Sequence, residues 1–206
     1  MLNSLGQTLL KITSPGIPAF YQGSELWDFR LVDPDNREPV DFTSRVGLLK
    51  RLKQYGQAKS IDFARELHAN WRDGRIELFL IWKALTFRRT FCQLFSLGDF
   101  RRVEVIGGRS ENVVAFLRHY VSDWALVIAP QWLAGLSGGI DLDGQELFWK
   151  GASIALPADA PPSWENAFTC EELHSEVREG QKSFLIGNLL RHFPAALFKV
   201  QFHKNS

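Results

Sequence analysis

Carboxylates and one guanidinium cluster in a short polar segment of the sequence. Asp33, Asp35, Glu38 and Asp41 stand within nine residues, and Arg37 lies among them. Two carboxylates on either side of one bond can act as acid and as base or nucleophile. An Arg side chain offers a rigid fork of donors that holds hydroxyl groups or orients a carboxylate. The run Asp-Pro-Asp-Asn is also strong turn chemistry. Two interpretations of Arg37 therefore remain: a local ion pair within a solvated loop, and a contact to a ligand.

The segment before this cluster is typical of a strand that ends in a loop. Residues 17–22 are short, apolar and β-prone, and Pro18 is tolerable at the start of a strand, where its missing N–H is least needed. Apolar residues at helical spacing precede it and predict a helix over Leu2–Thr13. Pro15 and Gly16 end that helix.

A second helix is predicted over 43–55, with Thr43 or Ser44 as its cap and Gly56 at its end. Helix, strand, long loop and helix make one and a half units of a β/α barrel. Tyr21, Gln22 and Glu25 lie where the strand ends and would then face a pocket, and Trp27 is a candidate for stacking on a ligand. For Glu25 a backbone contact in the loop, and for Trp27 core packing, remain alternatives to a ligand contact.

The rest of the chain changes from a helical to an alternating pattern near Gly98. Helices are predicted over 60–69 and 75–91, so the first domain, 1–97, is mostly helical. The predicted strands span 100–106, 113–120, 125–130, 152–156, 164–169 and 195–202, with a short helix over 183–192. Short strands with turn signals predict an antiparallel β-sandwich as the second domain, 98–206. The expected fold class is α+β.

Composition excludes several classes of function. The chain has 206 residues, 45% of them hydrophobic, and a formal net charge of +1, which argues against a nucleic-acid surface. The longest apolar run, 76–87, contains Glu77 and Lys83 and is too short for a bilayer. Cys92 and Cys170 imply no disulfide framework and favour a cytoplasmic location. The histidines show no metal spacing and no nucleotide-binding glycine pattern occurs, so no metal or cofactor is expected.

Two motifs resemble a known family. Residues 15–25, PGIPAFYQGSE, resemble the segment that follows the last catalytic region in the α-amylase superfamily, glycoside hydrolase family 13. Residues 31–42, LVDPDNREPVDF, and residues 191–197, RHFPAAL, are similar to the C-terminal part of the maltooligosyltrehalose synthase family. These enzymes are isomerases of trehalose biosynthesis that convert the reducing-end α-1,4 linkage of a maltooligosaccharide into an α,α-1,1 linkage.

The resemblance implies a fold and a site. The chain would comprise the end of a (β/α)8 barrel, its last strand with flanking helices, followed by the β-sandwich. The catalytic carboxylates of the family lie on earlier strands, so we assign no catalytic residue here and expect the isolated chain to be inactive. The matching loop, residues 33–39 with Arg37, lies at the reducing-end rim of the pocket in the family. The substrate-binding candidates are Arg37, Tyr21, Gln22, Glu25, Trp27, Asp35 and Asp41.

Other interpretations and partners follow from the same residues. A non-catalytic glucan-binding or assembly module would use exposed aromatic side chains, such as Trp132, Trp149 and Trp164. Another α-amylase superfamily glucosidase or transferase would carry a different reducing-end specificity. The expected partners are a maltooligosaccharide and the remaining barrel of the same enzyme, with no nucleic acid or membrane. Without that barrel, uncovered apolar helix faces predict self-association.

Overall fold

A computed structural model describes residues 1–28, 39–55, 61–133, 148–178 and 180–200. Most of the described helical residues precede the first strand. The helices are α1 (Leu2–Thr13), α2 (Phe42–Tyr55), α3 (Ile61–Ala69), α4 (Arg75–Thr90), α5 (Cys92–Ser96) and α6 (Ile186–Leu189).

The described strands form two sheets in which every pairing is antiparallel. The larger has the order β1-β3-β4-β10-β6-β7 and the smaller β2-β5-β9-β8. The strands are β1 (Asp99–Arg102), β2 (Val105–Ile106), β3 (Val113–Tyr120), β4 (Asp123–Pro130), β5 (Ser153–Ala155), β6 (Ser163–Asn166), β7 (Glu172–His174), β8 (Glu176–Arg178), β9 (Gln181–Leu185) and β10 (Ala196–Val200).

Strand β4 is buried on both faces because different layers cover them. Successive side chains of a strand point to opposite faces. Val127 belongs to the hydrophobic cluster that contains the buried residues of α1 and α4. Leu126 and Ile128 belong to the second cluster, which contains Ile154 of β5. The larger sheet therefore lies between the helices and the smaller sheet.

Helix α1 approaches the end of β4 closely. A Cβ atom added at Gly6 would stand 2.2 Å from the carbonyl oxygen of Pro130, a distance that no side chain tolerates. Only glycine allows the two backbones to come this near. The approach brings α1, which precedes the candidate site, against the centre of the larger sheet.

The helical periodicity predicted α1 at its observed bounds and α4 to within one residue. The prediction of a strand over 17–22 is wrong, because no strand forms there. A strand exists only through hydrogen bonds to a neighbour, and none of the described strands pairs with this segment. The prediction of Thr43 or Ser44 as the cap of α2 is also wrong. The helix already includes Phe42, and Asp41 precedes it.

The second half holds further corrections. Residues 183–192 were predicted as a helix, but β9 extends to Leu185 and α6 is a single turn. Residues 100–106 do not form one strand, since β1 and β2 belong to different sheets. Strands β7 and β8 were not predicted, because three residues are too few to show an alternating pattern. The division at 97/98 remains a prediction; the helix cluster also includes residues of β3, β4 and β10.

Candidate functional site

Five of the seven candidate residues lie in the part of the chain that the structure describes. Tyr21, Gln22, Glu25 and Trp27 follow α1, and Asp41 immediately precedes α2. The other two, Asp35 and Arg37, lie outside the described residues, as do the carboxylates Asp33 and Glu38. The described candidates are therefore the two ends of the segment that carries the Asp-Pro-Asp-Asn-Arg motif.

Arg88 of α4 holds the turn that leads into the candidate residues. Its guanidinium donates to the carbonyl oxygen of Ile12 at 2.6 Å, to that of Ser14 at 3.3 Å, and to that of Gly16. The first of these is an orphan carbonyl of the last turn of α1. Gly16 has φ of +106°, a conformation that favours glycine. Burial lowers the pKa of Arg88 from its usual value. No pattern in the sequence indicates this contact of Arg88.

Arg45 of α2 connects the two ends of the candidate segment. Its Nε lies 3.2 Å from Oε2 of Glu25. Its Nη2 donates to the carbonyl oxygen of Gly23 at 2.9 Å, and its Nη1 to that of Asp41 at 3.2 Å. The side chains of Arg45 and Glu25 are 20% and 29% exposed, so solvent reaches this ion pair only in part. Glu25 therefore contacts the side chain of Arg45 on a helix, not the loop backbone that was its considered alternative, and sequence reasoning missed this partner.

Asp41 caps helix α2. One carboxylate oxygen accepts the backbone N–H of Ser44 at 2.9 Å and the other accepts its hydroxyl. These hydrogen bonds hold the pKa of Asp41 below its usual value, chiefly through the Ser44 hydroxyl. The contact satisfies an orphan N–H at the start of the helix. The residue type at 41 could have predicted it, since Asp is among the favoured capping residues.

Trp27 packs beside the helix cluster. Its indole N–H donates to the carbonyl oxygen of Trp71 at 2.6 Å, and the two rings meet edge to face with centroids 6.4 Å apart. This arrangement favours core packing, the alternative considered for Trp27. Tyr21 is 54% exposed, and Gln22 is exposed. Both can therefore reach a ligand or a further part of a larger protein.

A buried carboxyl group lies near these residues. Glu77 of α4 is 4% exposed and lines a cavity of about 290 Å³ together with Thr8, Lys11, Trp27 and Trp71. Thr8 Oγ1 donates to Oε1 of Glu77 at 2.7 Å. Burial raises the pKa of Glu77, while the hydrogen bond from Thr8 and, after it, the positive charge of Lys11 oppose the rise.

The described residues include no group of three or more His, Cys, Asp or Glu side chains placed to hold a metal ion. Among those same residues, no helix is long and apolar enough to cross a membrane.

Of the three tryptophans considered for a glucan-binding surface, Trp149 and Trp164 are buried in the second cluster. Trp132 is 69% exposed. Of these three tryptophans, only Trp132 is exposed enough to contribute to a glucan-binding surface.

Comparison with known proteins gives one consistent match, although no family model matches the chain. A putative maltooligosyl trehalose synthase of Mycobacterium tuberculosis, strain CDC 1551, is 35% identical over 167 residues. That alignment covers 81% of this chain and 17% of the relative, and the sequence of strain H37Rv gives the same values. This chain is homologous to part of a maltooligosyltrehalose synthase. It spans about a sixth of the length of these relatives.

Solved structures agree with the sequence match. The maltooligosyltrehalose synthase of Arthrobacter ramosus superposes with a TM-score of 0.68 at 26% identity, covering 97% of this chain and 22% of that protein. An α-amylase from Anoxybacillus, 14% identical, superposes with a TM-score of 0.55 over 98% of this chain and 32% of its own. The second likeness shows an α-amylase-like fold alone. The predicted resemblance to maltooligosyltrehalose synthases is confirmed.

Proposed function

We propose that this chain is the C-terminal portion of a longer maltooligosyltrehalose synthase. The complete enzyme would convert the reducing-end α-1,4 linkage of a maltooligosaccharide into an α,α-1,1 linkage by intramolecular transfer. The observation that carries this proposal is the 35% identity over 81% of the chain to a relative of which the chain covers 17%. In finer detail, residues 1–97 would end the (β/α)8 barrel and residues 98–206 would form the β-sandwich domain. The free cysteines, Cys92 and Cys170, support a cytoplasmic location.

Within the complete enzyme this chain would form part of the wall around the released glucose. The catalytic carboxylates would belong to the remainder of the protein. The wall would be built from Tyr21, Gln22, Glu25, Trp27, Asp35, Arg37 and Asp41, with Glu25 held by Arg45. A wall that excludes water favours transfer over hydrolysis. No cofactor takes part in this proposal.

The first experiment measures the mass of the native polypeptide in its source cells, with an antibody to this chain and mass spectrometry. A product several times heavier than 23.5 kDa is expected. The complete protein should form a trehalose-type, non-reducing product from maltooligosaccharides, whereas the isolated chain should form none. A native product of 23.5 kDa, or a complete protein without this activity, contradicts the proposal.

Arg37→Ala in the complete enzyme tests the site. We expect turnover to fall by roughly tenfold or more, because each 1.36 kcal/mol of lost transition-state stabilisation is a factor of ten. The melting temperature should change little. Arg51→Ala, at an exposed position of α2, is the control. Equal losses of turnover and stability in Arg37→Ala would leave only a structural role for this residue.

A further inference from the structure

We propose that Arg45 is a positioning residue for the transfer reaction, acting through Glu25 and the backbone of Gly23. The inference rests on the proposed function of the complete enzyme. Arg45 was not among the candidates from sequence, and its role here does not require that it touch the substrate. It would keep the segment that follows the Pro-Gly-Ile-Pro motif against the start of α2.

The geometry uses all three nitrogen atoms of the guanidinium on separate acceptors. Nε meets the carboxylate of Glu25, Nη2 the carbonyl oxygen of Gly23, and Nη1 the carbonyl oxygen of Asp41. The first two acceptors lie 20 and 22 residues before Arg45 in sequence. The third lies one helical turn before it. One planar group thus joins segments that are distant in sequence, which an ammonium group on a flexible stem cannot do with the same precision.

The guanidinium is itself anchored from the helix side. The backbone carbonyl oxygen of Asp41 accepts a hydrogen bond from Arg45. Its carboxylate accepts the N–H and the hydroxyl of Ser44 and so caps α2. The start of α2, Asp41 and Arg45 therefore form one hydrogen-bonded unit. Loss of the guanidinium would release Gly23 and Glu25 from this unit and leave the helix cap in place.

Loss of the Arg45 guanidinium should change which of two molecules, glucose or water, accepts the glycosyl group. Cleavage of the reducing-end bond would leave the glycosyl group bonded to a carboxylate of the remainder of the enzyme and a glucose in the pocket. The anomeric hydroxyl of that glucose then attacks the glycosyl carbon, its proton passes to the general base and the carboxylate leaves, which gives the α,α-1,1 product. If water attacks that group instead, the products are free glucose and a shortened maltooligosaccharide. A less ordered wall admits water and lets glucose leave, so hydrolysis should gain at the expense of transfer.

The test measures free glucose against trehalose-type product in the complete enzyme with a maltooligosaccharide substrate. We expect Arg45→Ala to raise this ratio roughly fivefold, which is about 1 kcal/mol at 25 °C. The ratio for Arg45→Lys should lie between that of Arg45→Ala and that of the wild type. Glu25→Gln should raise the ratio, and the double variant should exceed the larger single effect only slightly, because the two residues act as a pair. Arg51→Ala on the exposed side of α2 should leave the ratio unchanged.

The outcomes separate this inference from the proposed function. A wild-type enzyme that forms no trehalose-type product overturns the proposed function whatever Arg45 does. An active wild type with unchanged ratios in folded Arg45→Ala, or additive effects of Arg45→Ala and Glu25→Gln, overturns the positioning role. If Arg45→Ala does not fold, Arg45→Lys and Glu25→Gln decide, and unchanged ratios in both overturn it.

Discussion

Glu77 shows how one buried carboxyl group can set a pH dependence. One of its oxygens accepts from Thr8, while the other, Oε2, is buried with no hydrogen-bond partner among the described residues. Burial raises its pKa above the ordinary value of 4.5. The folded chain therefore holds a proton at this site more tightly than the unfolded chain does. The contribution of Glu77 to stability is greatest at pH values below its pKa in the unfolded chain. It is lost as the pH rises through its pKa in the folded chain.

Glu77→Gln should remove this pH dependence. At pH 7 the variant should be more stable than the wild type by about 1 kcal/mol, because a neutral amide costs less to bury than a carboxylate and can still accept from Thr8. Near pH 4 the two chains should differ less. Urea unfolding of this chain at both pH values measures the two differences. The same difference at both would show that protonation of Glu77 is not the cause.

Residue roles were predictable from sequence only where the contact is local. Asp41 lies three residues from Ser44, and its type suits a cap. The partners of Arg88 lie more than 70 residues away, and those of Arg118 about 20. Arg118 is 2% exposed and donates to four backbone carbonyl groups, although its place in a strand gave no sign of this. Such partners depend on the tertiary fold, which no local pattern contains.

At the scale of elements, a pattern predicts an element when the element carries its own hydrogen bonds or is long enough to show a period. Helices α1 and α4 meet both conditions, and β3 and β4 meet the second. The segment 17–22 fails because its apolar, β-prone sequence needs a neighbouring strand. The Asp33 to Phe42 motif indicated the relatives correctly, yet the contacts of Asp35 and Arg37 stay predictions.

Strand β4 should be the element least tolerant of truncation. Leu126 is fully buried between the two sheets, and Leu126→Ala should lower the free energy of unfolding by about 2–5 kcal/mol through lost transfer energy and the cavity left behind. Leu97→Ala is the matched control, because Leu97 is 64% exposed and the change should stay within about 0.5 kcal/mol. Chemical denaturation of both variants measures the effect. Similar losses at the two positions would mean that β4 does not lie at the centre of the core.

At the scale of the whole molecule, the larger sheet covers the apolar faces of α1 and α4, so these two helices do not leave the uncovered faces from which self-association was predicted. Other apolar side chains are exposed. Ile17 is 95% exposed, and Tyr21, Phe42 and Val46 are each about half exposed. All four lie near the ends of the candidate segment, and the chain covers only about a fifth of the homologous structures. In the proposed complete enzyme, the remainder of the protein would cover these side chains.

In the isolated chain a second copy should cover them instead, because exposed apolar patches drive association. Sedimentation velocity over a dilution series should show a mass that rises with concentration. The double variant Ile17→Ser with Val46→Lys should weaken this association, since it removes apolar surface and adds a charge. Val177→Lys is the control, because Val177 is 69% exposed on β8, in the other sheet. A monomer at every concentration, or equal weakening by the control, would show that the surface around residues 17 and 46 is not what drives association.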